Sequence, residues 1–143
     1  MMWKRVAVTV LVMLAALGLS GVAAATADAR LAPAPAVANN GEFFWVNDRG
    51  CRGDVRATLL TDPAKPGRVT VRFKPTRFTR NCSFNVWAGW DLMGADQIRV
   101  RLTAGPRGGP AVYRTYRTGP GLHTLSFGHR PSASAVTWYA WIP

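Results

Sequence analysis

Arg72 and Lys74, and likewise Arg99 and Arg101, stand at alternate positions of two segments, residues 69–74 and 98–103, whose intervening residues Val71, Phe73, Val100 and Leu102 are apolar. In an extended chain alternate residues share a face, so each segment presents a pair of cations opposite a buried row. A guanidinium grips phosphate or carboxylate through two parallel hydrogen bonds. If the two segments belong to one sheet, the four cations form one solvent-facing stripe suited to a polyanion. Arg77 and Arg80 follow in the intervening loop, and Arg114 and Arg117 lie in a later strand. Trp87, Tyr139 and Trp141 alternate with buried-type positions on their own segments and could stack sugar rings or bases beside those cations. The contrary reading is that outward strand positions must be polar and that large aromatics fill the core of a small domain.

Catalytic sets are sparse. His123 and His129 are the only histidines, and their spacing matches no zinc site. Asp91, Asp96 and Glu42 are the carboxylates that could serve a hydrolase, and Ser126 lacks the G-x-S-x-G setting of a nucleophile. A small nuclease-like hydrolase would have to use His123 or His129 with Asp91. No Gly-rich phosphate loop is present, and no cofactor is expected. Arg52-Gly53-Asp54, directly after Cys51, resembles an adhesion tripeptide that a loop could display.

These side chains must be positioned by strands. Alternation or β-rich composition marks residues 43–47, 55–60, 69–74, 82–88, 98–103, 112–117, 122–127 and 136–142. Gly and Pro punctuate the breaks at 48–50, 62–67, 105–110 and 119–121. No helical period follows residue 40. The expectation is an all-β fold: a small antiparallel β-sandwich of about seven or eight strands, immunoglobulin-like or jelly-roll-like. Cys51 and Cys82 are the only cysteines and are expected to pair, stabilising the domain by roughly 3–4 kcal/mol. They lie closer together in sequence than the cysteines of antibody-type domains, so no immunoglobulin family membership follows.

Lys4 and Arg5, the apolar run 6–19 and the small residues 23–27 together have the form of a secretory signal peptide cleaved after Ala27. The apolar run is short for a membrane span. Residues 28–40, rich in Ala and Pro, are expected to form a disordered leader, leaving 41–143 as the single folded domain. Two of the eighteen basic residues lie in the signal segment, so residues 28–143 hold sixteen against seven acidic ones and carry +9. Such a field attracts polyanions, although Arg outnumbers Lys fifteen to three, as GC-rich coding alone can produce. The function expected is noncatalytic binding, outside or at the surface of the cell, of an anionic polymer: a wall phosphopolymer, an acidic polysaccharide or nucleic acid. The alternatives are the hydrolase above and a protein-directed inhibitor or toxin-like factor.

Overall fold

The computed structural model describes residues 31–39, 41–91, 98–130 and 136–143. Among them the chain forms ten strands: β1 Ala32–Pro33, β2 Ala36–Asn39, β3 Phe43–Asp48, β4 Cys51–Thr61, β5 Arg68–Phe78, β6 Cys82–Trp90, β7 Ile98–Ala104, β8 Val112–Arg117, β9 Gly121–Gly128 and β10 Val136–Ile142. They make two antiparallel five-stranded sheets. The first runs β1-β4-β5-β8, with β3 also paired to β4; the second runs β2-β10-β9-β6-β7.

Period-two burial is why these segments are strands. In β4, Val55, Ala57 and Leu59 are buried while Arg52, Arg56 and their alternates look outward. In β10, Val136, Trp138, Ala140 and Ile142 are buried, and Tyr139 and Trp141 are exposed. The buried rows meet as one core between the sheets. Three aromatic pairs cross that layer: Phe73 of β5 edge-on to Phe127 of β9 at 5.7 Å, Phe78 of β5 stacked on Phe84 of β6 at 4.7 Å, and Trp90 of β6 against Tyr116 of β8 at 5.4 Å. Such pairs add specific geometry to the burial of large apolar area. The Cys51–Cys82 disulfide also joins the sheets, from the start of β4 to the start of β6.

The eight segments expected from residue 43 onward correspond to β3–β10. The expected disordered leader needs correction, because residues 32–39 carry β1 and β2. Ala32 and Pro33 pair with Thr61 and Leu60 of β4, while residues 36–39 pair with β10. Between them Ala34 is buried and its N–H donates to Leu59 O at 3.0 Å, and Pro35 O accepts from Trp141 N–H at 3.0 Å. The segment therefore crosses from one sheet to the other. Its prolines already favour extended backbone and tolerate sheet edges, where no N–H is required of them.

A β-bulge between Gly53 and Val55 shifts the β4–β5 register. A Cβ at Gly53 would lie 2.4 Å from Arg77 O and 2.5 Å from the Phe78 ring, so only glycine fits. The Arg52-Gly53-Asp54 tripeptide is consequently part of a paired strand, not a displayed loop. Arg77 likewise belongs to β5 and not to a loop.

Two candidate binding faces

The expected four-cation stripe does not exist as one surface. Arg72 and Lys74 lie on β5 in the first sheet, and Arg99 and Arg101 on β7 in the second. Each pair points away from the core, so the pairs look outward from opposite sides of the sandwich. The two segments share one sequence pattern because each is a half-buried strand, and that pattern carries no information on which sheet a strand joins.

The outer face of the first sheet can be read in cross-strand rows. Phe43, Arg56 and Lys74 form one row, Thr58, Arg72 and Tyr113 the next, then Leu60, Thr70 and Thr115, then Arg68 and Arg117. Trp45 and Asp54 form the row beyond Phe43. Phe43, Trp45 and Tyr113 are about half exposed. Arg56 is anchored: its Nη2 and Nε lie 2.6 and 2.8 Å from Glu42 Oε2, and its guanidinium lies 5.7 Å from the Phe43 ring centre. The Lys74 ammonium donates to Gly109 O at 2.7 Å. Arg68, Arg72 and Arg117 make no ion pair or side-chain hydrogen bond with any described residue. Arg68 directly opposes Arg117 in the β5–β8 ladder, an arrangement of like charges that destabilises a sheet.

On the outer face of the second sheet, Trp87 is paired with Arg99, Asn85 with Arg101, Tyr139 with Thr124, and Trp141 with Leu122. Arg101 Nε donates to Ser83 Oγ at 2.9 Å. Tyr139, Trp141 and Leu122 are exposed, and Trp87 is half-buried. All three stacking candidates thus lie outside the core and on one face. They do not form one cluster: Leu122, beside Trp141, and Gly128, beside Trp87, are six positions apart on β9, about 20 Å. Thr124, Ser126 and Thr137 occupy the ground between, and the two arginines sit at the β7 edge. This face is aromatic and hydroxyl-bearing; the first is cationic and aromatic.

Phe43, Trp45 and Tyr113 were not expected to join Arg72. Phe43 and Trp45 alternate with buried Phe44 and Val46, and a strand apolar on both faces gives no period to separate outward from inward residues.

The structure brings together one residue pair that the hydrolase alternative named, His123 and Asp91. His123 Nδ1 lies 2.7 Å from Asp91 Oδ2, Asp91 Oδ1 accepts from Thr124 N–H at 3.1 Å, and Asp91 N–H donates to Thr124 O at 2.7 Å. A carboxylate on Nδ1 leaves Nε2 as the atom for proton transfer. That Nε2 is buried and meets no described polar partner, as is Nδ1 of His129, whereas a general base must reach the proton it takes. The pair fastens the end of β6 to β9. Asp96 lies outside the described residues. Among the described residues no group of three or more His, Cys, Asp or Glu is placed to hold a metal ion, and no helix is long and apolar enough to cross a membrane.

Comparison with known proteins yields no matching family model, no matching curated protein and no matching solved structure.

Proposed function

We propose that this disulfide-bonded β-sandwich is a noncatalytic binding domain for an anionic polymer, acting outside the cytoplasm, and that the outer face of the first sheet is its binding surface. The carrying observation is the opposed pair Arg68 and Arg117, next to Arg72 across the Thr70–Thr115 row, none of them neutralised by a described partner. Folding alone gives no reason to hold like charges opposite each other. A polyanion laid across β5 and β8 offsets their repulsion and replaces its small counterions with fixed cations. Exposed Phe43, Trp45 and Tyr113 add stacking area on the same side. Arg99 and Arg101 then contribute to the general field and not to the contact. The signal-peptide pattern and the inter-sheet disulfide support an oxidising, exported setting.

The test is cosedimentation of the purified protein with cell-wall material and with nucleic acid over a salt series, beside another folded domain of similar charge. The expected result is retention above that basic control, falling steeply with salt. Retention equal to the control at every salt concentration rejects the reading and reduces the arginines to solubilising charge.

A further inference from the structure

One end of the cationic face is not flat. A pocket of ≈ 470 Å³ opens over the rows Thr70–Thr115 and Arg68, lined also by Tyr113, Leu31, and Asp62 and Lys65 of the β4–β5 turn. Its size falls in the range of small-ligand sites, about 300–1,000 Å³. The floor is a hydroxyl pair, Thr70 Oγ1 and Thr115 Oγ1, 2.8 Å apart. Tyr113 offers a ring that is 49% exposed.

Asp62 is the unusual member, a carboxylate only 6% exposed. Its Oδ1 accepts from Ala64 N–H at 2.9 Å, which fixes its orientation, and its Oδ2 has Lys65 Nζ beside it at 3.7 Å. Asp62 lines the pocket, and Oδ2 keeps acceptor capacity. Arg68, crowded by Arg117, supplies a cation without a partner of its own among the described residues.

We infer that this pocket binds a single acidic sugar unit, a pyranose-type ring bearing one carboxylate or phosphate, as the specificity subsite of the polymer face. The inference rests on the polyanion reading above and narrows it to a saccharide. Tyr113 stacks on one side of the ring, Asp62 Oδ2 and the threonine hydroxyls meet ring hydroxyls, and Arg68 holds the acidic substituent. The buried carboxylate decides against nucleic acid. A phosphodiester strand carries an anion at each nucleotide past Asp62, whereas a hydroxyl-rich ring donates to it and keeps its one anion at Arg68.

Titration of the isotope-labelled protein with glucuronate and glucose 6-phosphate, followed by amide NMR, tests this. The expected result is a saturable shift of the Thr70, Thr115 and Arg68 amides by at least one of the two acids. Glucose should bind about tenfold more weakly, and Tyr113→Ala and Arg68→Gln should each weaken the acid about tenfold. Both side chains sit on the surface, and the variant spectra report whether the fold is kept. No saturable response to either acid overturns the inference, as does inorganic phosphate acting as strongly as both acids, or uridine monophosphate binding more tightly than either. The two readings fail separately. A saturable acid-sugar response without salt-sensitive polymer retention rejects the polymer face, and retention without that response rejects the pocket.

Discussion

The two outer faces of the sandwich are built on equal numbers of strands and by one alternation rule, yet they differ in how their cations are held. On the second sheet Arg99 and Arg101 stand at the β7 edge, the latter bonded to Ser83, and the middle is Thr, Ser and Gly between separated aromatics. On the first sheet Arg68, Arg72 and Arg117 lie across two adjacent strands, with Arg68 facing Arg117 and no described acid bound to any of them. Isolated edge arginines cost a sheet little and guard it against pairing with another chain. Opposed arginines in a ladder do cost stability, and that difference is why we assign the anion to the first face.

The largest expected effect strikes both faces together. Replacing Cys51 and Cys82 with alanine removes the covalent tie between sheets and should cost about 2–5 kcal/mol, read as a lowered denaturation midpoint with polymer binding lost wherever the domain unfolds. A midpoint within error of the wild type would mean that the buried core and the 32–39 crossing hold the layers without the disulfide. The next effect separates the faces. Arg68→Glu with Arg72→Glu should reduce polyanion affinity by about 10–100-fold and flatten the salt dependence by roughly two contacts' worth. Arg99→Glu with Arg101→Glu makes the same change in net charge and should cost less than about threefold. Equal losses from the two double variants would show that net charge, not the face, governs binding.

A pH effect on the shared core follows in size. Burial pushes the Tyr116 hydroxyl up to about 12, against a smaller opposing pull from Arg114. The unfolded tyrosine loses its proton near 10, so below that pH both states are protonated and this contribution to stability is fully present. Between pH 10 and 12 the unfolded state binds fewer protons, and up to roughly 2–3 kcal/mol of stability is lost as pH rises. Denaturant titrations across that range should show the fall in the wild type and a shallower one in Tyr116→Phe. At neutral pH the same variant should be unchanged or more stable by about 1 kcal/mol, because the buried Oη has no hydrogen-bond partner among described residues. The smallest effect belongs to the second face: Trp141→Ala should change stability by less than about 0.5 kcal/mol and leave salt-sensitive retention intact. A clear loss of retention there would move the binding surface to the other side.

Much of the scaffold was legible because burial on one side of a strand writes itself into alternate residues. Val136, Trp138, Ala140 and Ile142 against Tyr139 and Trp141 is the plainest case, and the observed β10 follows it residue by residue. Sheet membership was not legible. The segments containing Arg72 and Arg99 look alike, and only pairing with distant strands sends one to each sheet. Asp91 was legible as a partner for His123 or His129, but which histidine it meets is decided by the β6–β9 pairing. The segment at 32–39 escaped notice because it joins the sheets by backbone hydrogen bonds, and alanine and proline side chains leave no pattern to read.

That segment has a consequence for how the domain comes into being. Trp138, Tyr139 and Ala140 of β10 take their partners from residues 36–39, about a hundred positions earlier. Pairings of such separation delay folding, since the loop must close before any contact rewards it. The second sheet cannot acquire its β2 edge until β10, about a hundred residues later, has been synthesised. Until β10 emerges, β2 has no strand to pair with and β9 lacks its neighbour on that side, and residues 36–39 are the stitch that closes the sheet once β10 is in place.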